Sequence, residues 1–600
     1  MIASGFARRL VRAAAITSAA AIILLVTGPL RLTGDYVAFL VAAIAYFSIV
    51  TLSVSMLAGF CGIWPIGHTA FTAIGAYLAV NLGGAGWPIE AVIPAAMIAA
   101  AIVGYVLGLS AGRFSVLYFG LLTLAISLAA FEIIGRWERF TGGENGIPVP
   151  PVKSLLAGRP IGIQDATVVC VLLAALVFLL IDWICQGPVG RRWLAVKSQR
   201  IAAMAVGFVP SRENALAFSF SAAMASLSGV GLAIAIGYLD PEGFSLNVGV
   251  TMLVSTVVGG AGSLVGALIG SAFIIGVPEI ARGASDVAPF VFGATTVLTL
   301  LFLRKGVAPS LIDAFMRKRG ARRIAMRPTD NRDGLAALVA DVLPASGRAL
   351  VVEGVEVSFG GVKALQGVSL SVPAGRAVGL MGPNGSGKTT MLNVLSGFVI
   401  PKSAKAVKLG DADLLSLSPS GRIGAGFGRT FQHAELFGEL TIRDMLAIVA
   451  RQGEAARRAA GKALTEPAVV AERLIAGLGL DDVAESFPGE LPFGIQKVAD
   501  IARALAGGAG AIALDEPFSG LDSEEAAKLR AILRELRAAG VTILIIDHAV
   551  DEIFDLAEDI YVLDFGCVIA HGTPAEIRND PKVREAYFGA PETAEDAVHA

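Results

Sequence analysis

Residues 382–390 read GPNGSGKTT and satisfy the pattern G-x-x-x-x-G-K-[ST] at every required position. An apolar run of strand type precedes them and a helical pattern follows, which is the context that a phosphate-binding loop requires. We expect backbone N–H groups and Lys388 to bind the β- and γ-phosphates of a nucleotide and the Thr389 hydroxyl to ligate Mg²⁺. The alternative is a glycine-rich turn that matches by accident. The predicted nucleotide-binding residues of this loop are Gly382, Pro383, Asn384, Gly385, Ser386, Gly387, Lys388, Thr389 and Thr390.

Composition places much of the chain in a membrane. Of the 600 residues, 55% are hydrophobic and only 16% are charged, and the apolar runs crowd the part before residue 303. Such a length predicts several domains. A formal net charge of -2 argues against a nucleic-acid partner. The 4 cysteines stand apart without a C-x-x-C pair, so we interpret them as core thiols.

The N-terminal half contains a series of apolar runs near the length of a bilayer crossing. The spacing predicts about six crossings, at residues 13–30, 37–58, 63–82, 91–109, 114–134 and 167–184. An even count puts the N-terminal arginines and the basic loop 191–212 on the cytoplasmic side, and puts residues 141–148 outside. Arginines and lysines at 136–159 fall in a loop assigned to the outside and weaken this topology.

Three further apolar runs follow, at residues 215–237, 248–275 and 289–303. Three simple crossings would leave the nucleotide-binding half outside the cell, where there is no ATP. We therefore expect the middle run to break within the sequence GGAGSLVGALIG at 259–270. The alternative is that these glycines only permit close helix packing.

The polar loop 187–212 carries the first family resemblance. Ala202, Ala203 and Gly207 match the Glu-Ala-Ala-x-x-x-Gly pattern of the cytoplasmic coupling helix in bacterial ABC importer permeases, and Ile201 replaces the Glu. Residues 141–148 (TGGENGIP) and 301–308 (LFLRKGVA) resemble the branched-chain amino-acid permeases. A basic, proline-containing stretch then predicts a linker. The expected domains are a permease at 1–308, a linker at 309–348 and an ATPase at 349–600.

From residue 351 the chain resembles the ATPase of branched-chain amino-acid ABC importers along its whole length. The similar text includes FGGVKAL at 359–365, GRTFQ at 428–432, LPFG at 491–494 and GTPAEIRNDPKVREAYFG at 572–589. The resemblance implies that Phe359 stacks on adenine, although a strand phenylalanine is also commonly a core residue. It implies that Gln432 senses Mg²⁺ and the attacking water, that His548 contacts the γ-phosphate, and that Asp522 belongs to a loop at the dimer interface.

Two acidic residues follow a buried strand. AIALDEP at 511–517 places an apolar run before Asp515, which predicts a parallel strand delivering a carboxylate to its C-terminal end. We expect Asp515 to hold Mg²⁺ and Glu516 to orient and activate the attacking water.

The signature of ABC ATPases is altered. The usual Leu-Ser-Gly-Gly-Gln is replaced by residues 491–495, which read LPFGI. Leu491, Gly494 and a following helix N-terminus remain to meet the nucleotide of a partner ATPase. The serine hydroxyl of the usual signature is absent, so we expect the nucleotide site of the partner ATPase to be weakened.

The sequence thus predicts a multidomain protein with an N-terminal polytopic α-helical membrane domain and a C-terminal α/β P-loop ABC ATPase domain, using ATP and Mg²⁺. The resemblance implies an importer in a bacterial inner membrane with a second permease, a second ATPase and a periplasmic solute-binding protein. Branched-chain amino acids are the expected solutes. The alternatives are urea, short amides or small carboxylates, an exporter half-transporter, or an ATPase that is merely anchored in the membrane.

Overall fold

The computed structural model describes residues 34–111, 116–155, 158–280, 288–303, 306–310, 348–459, 465–548 and 550–588. These residues form two compact units. The first contains the described residues up to Trp193 and those from Pro210 to residue 310, and the second contains Leu194–Val209 with the described residues from 348 onward. The predicted helix at 13–30 and nearly all of the predicted linker lie outside the described residues.

The first unit is built from apolar helices. Their bounds are α1 Asp35–Met56, α2 His68–Gly84, α3 Ile89–Ala111, α4 Val116–Arg136, α5 Glu138–Thr141, α6 Ile163–Cys185, α7 Pro188–Ser198, α8 Arg200–Ala205, α9 Pro210–Ile236, α10 Leu246–Gly259, α11 Leu264–Ile280 and α12 Ala288–Phe302, where α8 and the end of α7 belong to the second unit. Within the described part of the chain, five helices are long and apolar enough to cross a bilayer. They coincide with predicted runs, with ends that differ by a few residues. The predicted crossing at 63–82 corresponds to α2, which has 17 residues and is not one of these five helices.

The predicted break in the run 248–275 is present. Helix α10 ends at Gly259 and α11 begins at Leu264, so each is too short to cross a bilayer by itself. The glycines also serve close packing: a Cβ on Gly59 would collide with the backbone of Gly262, and one on Gly270 with the backbone of Ser255. The predicted break is therefore confirmed, and the alternative that these glycines only permit close packing is wrong, because the break and the close approach occur in one segment.

Short polar contacts join elements of this unit that are distant in sequence. The loop 141–148 includes strand β1 (Ile147–Pro148), which pairs antiparallel with β2 (Tyr238–Leu239) after α9. In the helical core, Nε2 of His68 lies 2.7 Å from Oγ of Ser221. Buried polar pairs of this kind fix helices against one another where apolar surface alone gives little preference.

The second unit contains two sheets. Their strands are β3 Leu350–Phe359, β4 Val362–Val372, β5 Ala377–Met381, β6 Ala406–Leu409, β7 Ala412–Asp413, β8 Phe427–Arg429, β9 Ala511–Asp515, β10 Thr542–Ile546, β11 Asp559–Asp564 and β12 Cys567–Gly572. One sheet has the order β12-β11-β5-β10-β9-β8 and the other β4-β3-β6-β7. Strands β5, β9 and β10 are buried along their whole length and pair in parallel, which explains their continuous apolar sequences.

The described part of the second unit beyond the coupling segment also contains α-helices. They are α13 Lys388–Ser396, α14 Pro419–Gly424, α15 Ile442–Gln452, α16 Glu454–Ala459, α17 Pro467–Gly477, α18 Phe493–Ala506, α19 Ser523–Ala538, α20 Val550–Leu556, α21 Pro574–Asn579 and α22 Pro581–Phe588. The carboxyl ends of β5, β9 and β10 meet at one edge of the sheet, the usual position of ligand sites in parallel sheets. The fold therefore gathers the phosphate loop, Asp515 and His548 at that edge.

Candidate active site

The phosphate loop has the backbone that its glycines permit. Strand β5 ends at Met381 and α13 begins at Lys388, with φ angles of 149° at Gly382, 84° at Gly385 and 107° at Gly387. A Cβ on Gly385 would point into open space, so this glycine is required for its left-handed backbone. A Cβ on Gly387 would lie 2.6 Å from the carbonyl oxygen of Ala364 in β4. Gly387 therefore permits close packing of the loop on β4.

Lys388 is held inside this loop. Its Nζ donates to the carbonyl oxygens of Gly382 at 2.7 Å and Pro383 at 2.9 Å. Burial lowers the pKa of the Lys388 ammonium, and Glu516 and Asp515 oppose that shift. A cation held by backbone carbonyls in a glycine-rich loop at a helix N-terminus is positioned to bind nucleotide phosphates.

A cleft of about 480 Å³ opens beside the loop. It is lined by Val362, Lys363, Ala364, Gln366, Asn384, Gly385, Gly387, Lys388, Thr389, Thr390, Glu516 and Phe565. Phe359, expected to stack on adenine, is the last residue of β3 and is 52% exposed, so it is not a core aromatic. Phe565, 81% exposed in the turn between β11 and β12, lines the cleft instead. Adenine stacking by Phe359 stays a prediction.

Asp515 ends β9 as the sequence predicts, and its carboxylate is buried. Arg429 donates from Nη2 to Oδ2 of Asp515 at 3.1 Å. Burial raises the pKa of Asp515, and the Arg429 guanidinium opposes this shift. Arg429 also donates to Oδ1 of Asn393 in α13 at 2.7 Å. This arginine thus ties Asp515 to the helix that follows the phosphate loop.

Glu516, Gln432 and His548 come together from three separate segments. Nε2 of Gln432 donates to Oε2 of Glu516 at 2.8 Å. Nδ1 of His548 lies 3.6 Å from the same oxygen. The Glu516 backbone has a φ of 46°, and its N–H donates to the carbonyl oxygen of Ile546 at the end of β10 at 2.6 Å. The three predicted catalytic side chains therefore form one group beside the cleft.

The altered signature segment, residues 491–495, forms a helix start. Pro492 is the N-cap of α18, with φ -55° and ψ 151°, and Ile495 is buried. A Cβ on Gly494 would lie 2.5 Å from Oε1 of Glu525, so a larger residue there would require the Glu525 side chain to move. Asp522 caps α19 by accepting from the N–H groups of Glu524 and Glu525. Contacts of Leu491, Gly494 and Asp522 with a nucleotide stay predictions.

Sequence reasoning missed three residues that support the site. Arg429 was within the quoted GRTFQ motif, but its partner in β9 is distant in sequence. Tyr587 in α22 accepts a hydrogen bond from the N–H of Gly382 at 2.8 Å, which joins the C-terminal segment to the phosphate loop. Lys497 in α18 donates to two backbone carbonyls of the catalytic group. No sequence motif identifies Lys497, because its contacts depend on how the fold brings α18 next to the backbone of Gln432 and of Glu516.

The segment Leu194–Val209, here called the coupling segment, packs within the second unit. Ala202 and Ala203 are fully buried in the same apolar cluster as Leu446 and Val449 of α15. Lys197 forms an ion pair with Glu439 at 2.7 Å. Gly207 has a φ of 99°, and its Cβ position faces Ile423, Ser420 and Gln452. Ala202 and Ala203 are thus the small residues that pack in this cluster, whereas Gly207 is required for its positive φ.

The site combines four features: the phosphate loop, the Asp515–Glu516 pair at the end of a buried strand, Gln432 and His548. Together these features define an ATPase of the ATP-binding cassette class, which in this chain follows a set of membrane helices. Three family models match: the permease component of the branched-chain amino-acid transport system over residues 36–303, the ABC transporter model over 365–519, and a branched-chain amino-acid ATP-binding cassette model over 567–593.

Individual proteins match the ATPase half. The chain is 36% identical over 253 residues to the high-affinity branched-chain amino acid transport ATP-binding protein LivG of Salmonella typhimurium, and 35% identical over 253 residues to that of Escherichia coli K12. It is 33% identical over 242 residues to the lipopolysaccharide export system ATP-binding protein LptB of Escherichia coli K12. Each match covers 40% of this chain and 97% of the relative.

Among solved structures, an ATP-binding cassette of an ABC transporter in its ADP conformation is 31% identical, covering 40% of this chain and 99% of that chain with a TM-score of 0.36. The chain belongs to the branched-chain amino-acid ABC transporter family, with permease and ATPase joined in one polypeptide. It is a multi-pass membrane protein whose cytoplasmic ATPase domain binds ATP and couples its hydrolysis to transport.

Proposed function

We propose that this chain is an importer subunit for branched-chain amino acids in a bacterial inner membrane. The observation that carries the direction of transport is the packing of the coupling segment on α14 and α15. Its Ala-Ala-x-x-x-Gly pattern is the one that importer permeases place against their ATPases. The solute class is supported by the permease model over 36–303, the cassette model over 567–593 and the LivG relatives.

In the proposed reaction, Lys388 and the N–H groups of the phosphate loop bind the β- and γ-phosphates. Glu516 orients the attacking water and Gln432 holds the Glu516 carboxylate in place. His548, which lies 3.6 Å from the Glu516 carboxylate, contacts the γ-phosphate. Such positioning and charge stabilisation account for most of phosphoryl-transfer catalysis.

Oxygen donors suited to Mg²⁺ lie at the same edge of the sheet. The Thr389 hydroxyl, the Gln432 amide oxygen and the Asp515 carboxylate are the hard ligands that Mg²⁺ prefers. Arg429 hydrogen-bonds one Asp515 oxygen, which leaves the other available. Magnesium supplies charge neutralisation between the β- and γ-phosphates when it is bound there.

The proposed assembly contains a second permease, a second ATPase and a periplasmic solute-binding protein. The signature segment supports the second ATPase, because the N–H groups at the start of α18 lie at a helix N-terminus suited to an anion.

Uptake by intact cells tests the solute and the direction together. A strain lacking this gene is complemented with the wild-type chain or with Glu516→Gln, and uptake of labelled leucine is measured against excess isoleucine, urea, acetamide or acetate. We expect leucine uptake only with the wild-type chain, with competition only by isoleucine. Competition by urea, acetamide or acetate would reassign the solute, and leucine retention in the deletion strain would indicate an exporter.

A further inference from the structure

Lys497 lies in the second turn of α18, two residues after the signature segment, and its side chain is buried at 4% exposure. Its Nζ donates to the carbonyl oxygen of Gln432 at 2.5 Å and to that of Glu516 at 2.9 Å. Lys497 does not line the nucleotide cleft described above. Burying an ammonium is costly unless its hydrogen bonds are satisfied, so this lysine requires a structural or functional reason.

The conformation of the Glu516 backbone explains why a lysine is buried at this position. Among the described residues, only Glu516 and Phe565 combine a side chain with a positive φ, and this conformation is strained for an L residue. The strain persists because the peptide is held on both sides. Its N–H donates to Ile546 O at 2.6 Å, and its carbonyl accepts from Lys497 at 2.9 Å and from the N–H of Ser519 at 3.4 Å. Lys497 makes the shorter of the two bonds to this carbonyl. The direction of the Glu516 carboxylate therefore depends on Lys497.

The same ammonium also fixes the partner of Glu516. By holding the Gln432 carbonyl, Lys497 sets the backbone from which the Gln432 side chain reaches Glu516 at 2.8 Å. The Lys497 ammonium lies 5.4 Å from the centre of the Phe493 ring, at the first position of α18. One side chain thus connects the signature helix to both loops of the catalytic group.

We propose that Lys497 is a positioning residue for ATP hydrolysis, which sets the Glu516–Gln432 pair according to the position of the signature helix. The inference rests on the proposed roles of Glu516 and Gln432. It assigns Lys497 no contact with the nucleotide, so its loss changes the rate of hydrolysis and leaves ATP binding in place.

The test uses the full-length chain purified in lipid nanodiscs with its co-expressed partner subunits. Lys497→Met removes the donors at similar side-chain length, and Lys528→Met is the matched control on α19, where the Lys528 ammonium pairs with Glu524 of its own helix at 2.7 Å. We expect Lys497→Met to lower kcat about 30-fold with KM for ATP within about twofold, since small displacements of catalytic groups cost this much. Lys528→Met should leave both unchanged.

A second comparison separates positioning from general destabilisation. In a Glu516→Gln background, Lys497→Met should lower the residual rate by less than about twofold, because residues that act as one unit are not additive. If Lys497→Met lowers the rate of hydrolysis by the same factor in both backgrounds, or leaves kcat unchanged, the proposal is overturned. Full turnover in Glu516→Gln alone would instead refute the proposed role of Glu516.

If Lys497→Met does not yield folded protein, Lys497→Arg tests the same proposal. Arginine keeps the charge and the donors but places them on a rigid planar group. The proposal expects a folded protein with normal binding of a fluorescent ATP analogue and kcat lowered about 5-fold or more. A normal kcat in this variant would show that Lys497 only stabilises the fold.

Discussion

Glu516 and Lys388 approach the same cleft from different elements, and the geometry assigns them different tasks. Lys388 lies inside the phosphate loop on backbone carbonyls, whereas the Glu516 carboxylate accepts from Gln432 and lies near His548. A residue that binds phosphate affects the stability of the nucleotide complex. A residue that orients water affects only the barrier to reaction.

Substitution separates these two tasks. Glu516→Gln keeps the size of the side chain but removes the acceptor charge, so we expect ATP affinity within about threefold of wild type and turnover lowered at least about 100-fold. Lys388→Ala removes charge-assisted hydrogen bonds worth about 1.5–3 kcal/mol, so ATP affinity should fall about 10- to 100-fold. Equilibrium binding of a fluorescent ATP analogue and steady-state ATPase rates measure both. Normal turnover in Glu516→Gln would remove Glu516 from the mechanism.

Pro492 gives a second prediction at the residue scale. It stands where the usual signature has serine, and its φ of -55° and ψ of 151° suit a serine N-cap equally well. The missing hydroxyl removes one hydrogen bond to the partner's γ-phosphate, worth about 1.5–3 kcal/mol when made. Pro492→Ser should therefore speed hydrolysis at the partner's site only.

The measurement resolves the two ATP sites by replacing, in turn, Glu516 of this chain and the corresponding glutamate of the partner ATPase. In the unaltered chain we expect the partner's site to be the slower one. Equal rates from both sites would show that Pro492 only shapes the helix start.

At the scale of elements, the coupling segment belongs to the permease part of the sequence but packs within the second unit. The coupling segment packs on α14 and α15, and Glu439, its ionic partner, follows Gln432 by seven residues. An exposed ion pair of this kind contributes about 0–1 kcal/mol. The buried alanines therefore carry most of the attachment.

Two neighbouring positions on α8 test this attachment. Ala203 is fully buried, whereas Ile201 is 52% exposed. A glutamate at 203 would bury an unpaired carboxylate at a cost of several kcal/mol, so Ala203→Glu should release the segment and lower leucine transport at least about 10-fold with basal ATP hydrolysis retained. Ile201→Glu introduces the same group at the exposed position and should keep transport within about twofold. Equal transport by the two variants would contradict the packing.

At the scale of the whole molecule, the topology must place the ATPase domain where ATP is. The predicted arrangement puts the coupling segment in the cytoplasm and the loop 141–148 outside, and it depends on the break between α10 and α11. The strand pair β1–β2 places the ends of α9 and of that loop together, as the predicted arrangement requires.

Labelling with a membrane-impermeant maleimide tests this arrangement. Three native cysteines are buried and Cys567 is partly buried, so all four are first replaced by serine or alanine. In intact spheroplasts we expect Asn145→Cys to react and Arg200→Cys to react only after permeabilisation. Reaction of position 200 from outside without reaction of position 145 would overturn the topology.

The sequence predicts what local patterns encode. The phosphate loop, the strand before Asp515 and the broken run 248–275 follow from spacing, and the structure has each of them. It did not predict that the missing Cβ of Gly387 faces β4, or that Phe565 lines the cleft where Phe359 was expected. Arg429 contacts Asp515, 86 residues away, Lys497 contacts Gln432, 65 residues away, and Tyr587 contacts Gly382, 205 residues away. Such partners are set by topology, and no local periodicity reports them.

The central claim is that this chain uses ATP on its own cassette to move branched-chain amino acids inward. The most direct test encloses ATP in proteoliposomes containing the purified complex, with the solute-binding protein and labelled leucine outside. We predict that leucine accumulates inside the liposomes that hold the wild-type chain, and that Glu516→Gln abolishes this accumulation while the chain still binds ATP. Accumulation at the wild-type rate in Glu516→Gln, or no leucine entry while the wild-type chain hydrolyses ATP and imports urea, would contradict the claim.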